Sequence, residues 1–160
     1  MELSVTQENF ARALSIVGRV ASNRTGLPIL GNILLRTDGT RLLVAATNLE
    51  IAATCYVGAK IVKQGDITLP ARLVSDYVGS LPKGTIELSS KGTSMTIASG
   101  NYSSIMTGVD ATEFPELPSI DEKQAVTYTI AEADFKQAIS QTIITTSNDT
   151  SRPVLTGVYW

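Results

Sequence analysis

Apolar residues recur at three- and four-residue spacing near the start of the chain, at Phe10, Ala13, Leu14, Val17 and Val20. That spacing lines one face of a helix. The pattern predicts a short strand over "ELSV", then a helix over roughly residues 7 to 20, with Thr6 as its N-cap and Gly18 weakening its last turn. Three β-type runs follow, "NILLRT", "RLLVAAT" and "LEIAATCYV", the first two joined by a hairpin turn at Asp38-Gly39. "DITLP" reads as another strand and "ARLVSDYVGSL" as a short helix opened by Pro70. "TIELSS", "SMTIAS" and "YSSIMTG" make a meander with glycine in both turns. From Val109 to Gln124 two prolines, several acidic residues and little apolar periodicity predict a linker. Beyond it, "VTYTI" predicts a strand, "AEADFKQAISQTI" a helix with Phe135, Ala138 and Ile139 on one side, and "VLTGVYW" a further strand.

The loop "SNRTGLPIL" (22–30) returns as "SNDTSRPVL" (147–155). Sliding residues 4–35 along residues 129–160 needs no gap and gives eight identities in 32 positions; background composition would give roughly two. Phe10 falls on Phe135, Ala13 on Ala138 and Pro28 on Pro153. A common strand-helix-loop frame accounts for some of this, but matched prolines in a gapless register favour repetition of one domain. The repeated unit reads as α+β, two short helices packed on about eight mostly antiparallel strands, with a sheet on one side and the helices on the other. The expected organisation is a complete first domain over 1–120, the end of a linker at 121–125 and the start of a second domain at 126–160. A lone strand such as "LTGVYW" would leave an exposed edge, so a fragment of a longer chain is expected. Repeats of this kind build an extended or closed array with a helix-lined face.

Composition narrows the chemistry. Hydrophobic residues are 43% and charged residues 18%, ordinary globular usage, which excludes wholesale disorder. The most apolar stretch, 42–57, is broken by Asn48 and Glu50 and is too short to cross a bilayer. Glu2 stands where a signal peptide would carry a base, so a cytoplasmic protein is expected. The one cysteine, Cys55, sits in an apolar strand pattern and reads as a core thiol in a reducing compartment. With no histidine, Ser-His-Asp and Cys-His catalysis are excluded within this sequence. Ser75 and Asp76 beside Arg72 read as mixed helix polarity rather than a catalytic cluster, and the acidic residues 113, 116, 121 and 122 lack a metal-loop pattern. No phosphate-cradling G-x-x-x-x-G-K-[ST] occurs. The chain is expected to be no enzyme and to need no cofactor or metal.

The net charge of -2 argues against a protein that coats nucleic acid indiscriminately. Locally the balance reverses. Residues 6–30 hold Arg12, Arg19 and Arg24 against one acid, Glu8, and Arg12 and Arg19 lie seven apart on one helix face. On their own these arginines read as a solvated helix face.

The runs "LPILGNILL", "ATNLEIAA", "ITLPARLVSDYVGSLP", "EFPELP" and "SRPVLTGV", in this order, resemble the bacterial DNA polymerase III beta subunit, the replicative sliding clamp. The resemblance covers the whole chain. It implies the DNA-clamp fold and a head-to-tail homodimeric ring of three domains per chain that encircles duplex DNA without sequence preference. The third domain lies outside these 160 residues, so a closed ring is not expected from this stretch alone. The resemblance also implies that Arg24 and Arg72 contact DNA, with Arg12 and Arg19 on the same basic face. Guanidinium pairing with phosphate would carry no base information. Asp149, Pro153 and Val154 fall where some family members place further DNA contacts, but an acid at Asp149 would repel phosphate. Arg152 and Leu155 match two positions in the wall of the family's partner pocket, which receives polymerase and clamp-loader subunits. Ile105, in "YSSIMTG", is the candidate for the subunit interface, with ordinary core as the alternative. The competing functional reading is a DNA-independent, β-rich protein-interaction module, which salt would separate from phosphate-driven binding.

Overall fold

In the computed structural model, which describes residues 1–21, 26–117 and 126–159, the chain divides into two compact units, Met1–Pro118 and Ser119–Trp160. In the first unit Leu3 and Val5 alternate with polar neighbours in β1 (Glu2–Thr6), which runs directly into α1 (Gln7–Val17). Phe10, Ala13, Leu14 and Val17 are buried along one stripe of α1, as their spacing requires. The helix ends at Val17, short of residue 20, and the Gly18 N–H at its C-cap donates to the Leu14 carbonyl. Thr6 occupies the N-cap position, but its hydroxyl makes no capping bond.

Then come β2 (Asn32–Asp38), β3 (Arg41–Thr47), β4 (Ala52–Gly58), β5 (Lys60–Lys63) and β6 (Asp66–Pro70), followed by α2 (Ala71–Ser80). The meander β7 (Thr85–Lys91), β8 (Ser94–Ser99) and β9 (Tyr102–Thr107) closes the set. The described strands form two antiparallel sheets, ordered β5-β1-β7-β8-β9 and β4-β3-β2-β6. The described strands number nine, in keeping with the expected eight or so, but they divide between two sheets, whereas the pattern suggested a sheet on one side and helices on the other. The strand missed by pattern, β5, is a four-residue segment with lysine at both ends and no buried residue. It offers no apolar alternation to read.

One core joins both sheets to both helices. Leu3, Ile86, Leu88, Met95 and Ile97 enter it from the five-stranded sheet, and Ile33, Leu35, Val44, Ile67 and Leu69 from the other. Val74 and Val78 of α2 pack beside the α1 stripe. The two helices run antiparallel. Gln7, at the start of α1, donates from Nε2 to the Val78 carbonyl near the end of α2 at 2.9 Å, whereas Gly18, past the end of α1, faces Ser75. Gln7 is buried, so its amide has no water to fall back on. Gln7→Leu is expected to cost about 1–2 kcal/mol, measured as a lower midpoint of urea unfolding. An unchanged midpoint would mean that this bond does not hold the helix pair.

The four-stranded sheet is buried on its second face too, where Leu34, Leu43 and Ala45 meet Ala111 and Phe114. Residues 111–113 form a single 3-10 turn, and the Asp110 carboxylate accepts the Thr112 N–H, which holds that carboxyl below its ordinary range. The stretch from Val109 to Leu117, expected as linker, therefore packs against the first unit. Its apolar residues are few, but each has a sheet face to cover.

In the second unit α3 (Glu132–Thr142) forms as predicted but has no buried residue. The strands expected at 126–130 and 154–160 are absent among the described residues; Pro153–Leu155 is a 3-10 turn instead, and Trp160 lies outside the described residues. A strand persists through its ladder, and among the described residues these runs form none: Leu155 accepts a single backbone bond from Ser147.

A candidate nucleic-acid interface on the helix pair

The buried stripe of α1 dictates what the opposite side presents. Arg12 stands on the exposed side of α1 in line with Glu8 and Ser15, and Arg19, two residues past the end of the helix, is exposed as well. Arg12 donates from Nη2 to Asn9 Oδ1 at 2.8 Å. Among the described residues neither Arg12 nor Arg19 makes an ion pair. Because α1 and α2 run antiparallel, the end of α1 lies beside the start of α2. Arg19 and Arg72 consequently line one open cleft of 430 Å³, together with Ser15, Asn32 and Ser75. Arg12 lines a second cleft, with Asn9, Ile16 and the β4 residues Cys55 to Gly58, so of the three arginines it is Arg19 and Arg72 that the helix pair brings together.

Two carboxylates temper this surface. Arg72 Nε lies 3.6 Å from Asp76 Oδ2, one helical turn further along α2. Glu8 meets Lys83 at 2.7 Å, and the bond from Lys83 holds the Glu8 carboxyl below its ordinary 4.5 while raising Lys83 above 10.5. A depressed acid and a raised base both remain charged at neutral pH, so Glu8 is engaged chiefly by Lys83, and the nearby Arg12 adds a smaller attraction. The Arg72–Asp76 pair could be anticipated from its four-residue spacing. The Glu8–Lys83 pair could not, because 75 positions separate its members.

Arg24 lies outside the described residues. Ile105 is 72% exposed on the edge strand β9, on the face opposite buried Met106, so within the described chain it is not core. Arg152 and Leu155 are held together by one turn, in which Leu155 N–H donates to the Arg152 carbonyl at 3.0 Å, and both are exposed. The neighbouring Asp149 accepts the Ser151 N–H at 2.9 Å, which lowers its carboxyl from the ordinary 3.8 and keeps the acid charged. Among the described residues no cluster of Asp, Glu and Cys could hold a metal ion, and no helix is long and apolar enough to cross a membrane.

Two antiparallel sheets sharing a core with an antiparallel helix pair, whose outer side carries exposed arginines, define a domain of the DNA-clamp class. The family model for the DNA polymerase III beta subunit, N-terminal domain, matches residues 1–118, and the chain belongs to that family. It is 34% identical over 164 residues to the beta sliding clamp of Synechococcus elongatus, covering 99% of this chain and 43% of that protein. The beta sliding clamp of Bacillus subtilis is 30% identical over 169 residues, covering 100% of this chain and 44% of the relative. A crystal structure of the DNA polymerase sliding clamp from Bacillus subtilis superposes with a TM-score of 0.92 at 28% identity, covering 99% of this chain and 43% of that one. The chain thus spans less than half the length of these relatives.

Proposed function

We propose that this chain contributes the first domain, over 1–120, and the start of the second, over 126–160, to a sliding clamp. The assembled protein would be a cytoplasmic, non-catalytic processivity factor that encircles duplex DNA and tethers the replicative polymerase. Arg24, Arg72, Arg12 and Arg19 face the phosphates in this reading. The observation that carries it is the exposed arginine row of the helix pair, in a chain that belongs to the beta subunit family. Guanidinium–phosphate contacts position a duplex without reading its bases, which suits a protein that must move along it. Ile105 serves the head-to-tail contact with a second subunit: an exposed branched apolar residue on an edge strand gains by being covered. Arg152 and Leu155 form part of the pocket that polymerase and clamp-loader subunits enter.

The test is equilibrium binding of the intact native protein to a short duplex across a salt series. Arg24→Ala combined with Arg72→Ala is expected to weaken association on the order of ten-fold near about 0.1 M salt and to flatten the log-log salt slope by about 1.8, two phosphate contacts at about 0.9 each. The circular dichroism spectrum should not change. Unaltered affinity would remove these residues from the interface, and salt-insensitive behaviour with no duplex binding would leave the DNA-independent interaction module as the function.

A further inference from the structure

Arg72 differs from its neighbours on the helix pair. Arg12 has an amide oxygen as its contact and Arg19 makes no ion pair among the described residues, but Arg72 has the Asp76 carboxylate at 3.6 Å. That distance is beyond hydrogen-bonding reach, in contrast with Arg36 Nε and Asp66 Oδ2 at 3.2 Å elsewhere in the fold. Asp76 therefore does not fix the guanidinium in one orientation. The approach is made at Nε, which leaves the two terminal nitrogens of Arg72 turned to solvent and able to meet a phosphate. The side chains of Arg72 and Asp76 are 95% and 73% exposed, so no protein group stands between a duplex phosphate and the carboxylate, and only water and salt weaken the repulsion. An acid so close to a phosphate-contacting base subtracts from the grip without blocking it.

Resting on the clamp reading above, we propose that Asp76 is an attenuating residue: its charge weakens the hold of Arg72 on duplex phosphates and keeps the protein loosely bound. It acts through Arg72 and touches no base. The partner is the sugar-phosphate backbone of any duplex, and the property set by Asp76 is the strength of the contact rather than its sequence preference.

The experiment compares wild type, Asp76→Asn, Asp76→Glu, Arg72→Ala and the Asp76→Asn/Arg72→Ala pair in the intact native protein, by fluorescence anisotropy on one labelled duplex over a salt series. Asp76→Asn is expected to bind about two- to five-fold more tightly at low salt, the range of an exposed ion pair. Its log-log salt slope should steepen by a fraction of the roughly 0.9 that one full phosphate contact contributes. Asp76→Glu, which restores the charge, should return towards wild type, and the gain should vanish when Arg72 is alanine. If wild type itself shows no salt-dependent duplex binding, the clamp reading falls and the attenuator with it. If wild type binds but Asp76→Asn leaves affinity and slope unchanged, or weakens binding, the attenuator alone is overturned. A gain that persists without Arg72 also overturns it, since the acid would then act on the duplex directly.

Discussion

Substituting alanine for Gly108 is expected to remove about 3–5 kcal/mol from the stability of the first unit, enough to unfold a marginal domain. A Cβ built on Gly108 would sit 2.0 Å from the Thr68 carbonyl oxygen, with Leu69 Cδ2 at 3.0 Å and Ile67 Cγ1 at 3.2 Å. The offending oxygen belongs to the backbone of β6, held in its sheet by the β2 ladder, and it cannot swing aside as a flexible side-chain end would. The close approach has a purpose. Here the chain leaves the five-stranded sheet and bridges to the four-stranded one, Val109 and Thr68 exchanging N–H bonds at 3.1 and 3.0 Å. Thr68 adds its hydroxyl to the Val109 carbonyl and accepts the Asn32 amide, both at 3.0 Å, the first partly buried and the second buried. A methyl group at position 108 must either push the sheets apart or break this bridge, so overpacking and lost hydrogen bonds add. Urea unfolding followed by far-UV circular dichroism measures the cost. Gly79→Ala supplies the contrast: nothing outside its own helix lies within 4 Å of its Cβ, and in the exposed last turn of α2 alanine should stabilise by up to about 0.5 kcal/mol. Equal effects at the two sites would refute the steric account of Gly108.

That bridge also marks the boundary of what the amino-acid pattern could disclose. Both helices of the first unit and eight of its strands were legible, because each is written in local periodicity and local turn chemistry, as in Phe10-Ala13-Leu14-Val17 or Asp38-Gly39. The division into two sheets was not. It depends on β1 choosing β5 and β7 as neighbours, at registers such as Leu3 with Ile61 and Val5 with Ile86, and no local rule states that choice. The arginines at 12 and 19 could be set on one face from their spacing, but the meeting of Arg19 with Arg72 required the antiparallel sense of α1 and α2, fixed by buried packing and by Gln7. The strands expected near the end of the sequence failed for the opposite reason: their β-type composition was real, but composition without a partner makes no ladder.

Phe10 and Phe135 occupy the same place in the two repeats, and truncating them should have very different consequences in the 160-residue chain. Phe10 is fully buried against both sheets, so Phe10→Ala is expected to cost about 3–5 kcal/mol through lost burial and the cavity left behind. Phe135 is 39% exposed and, with Ala138 and Ile139, lines an open apolar groove shared with Val126, Tyr128 and Ile130. Phe135→Ala is expected to cost about 1–2 kcal/mol, less than Phe10→Ala, since Phe135 keeps more than a third of its surface in water and its loss leaves no enclosed cavity. Denaturation of both variants, monitored in parallel with sedimentation at several concentrations, decides the matter. Comparable costs would mean that the groove of α3 is covered in solution by a second molecule, and sedimentation would then report association.

The position of β1 has a kinetic consequence. Its neighbours are non-local, and Val5 pairs with Ile86, 81 positions later. At roughly 5–20 residues per second of synthesis, the first strand waits on the order of 4–16 s before β7 leaves the ribosome. Through that interval Leu3 and Val5 lack the β7 edge they pair with, and the core that buries Phe10 has only its four-stranded side, so the nascent chain carries them partly uncovered past its neighbours. Because loop closure must precede the pairing that rewards it, the five-stranded sheet should be the last part to lock, and a pause in translation before residue 85 would lengthen the period in which the first helix can stick to something else.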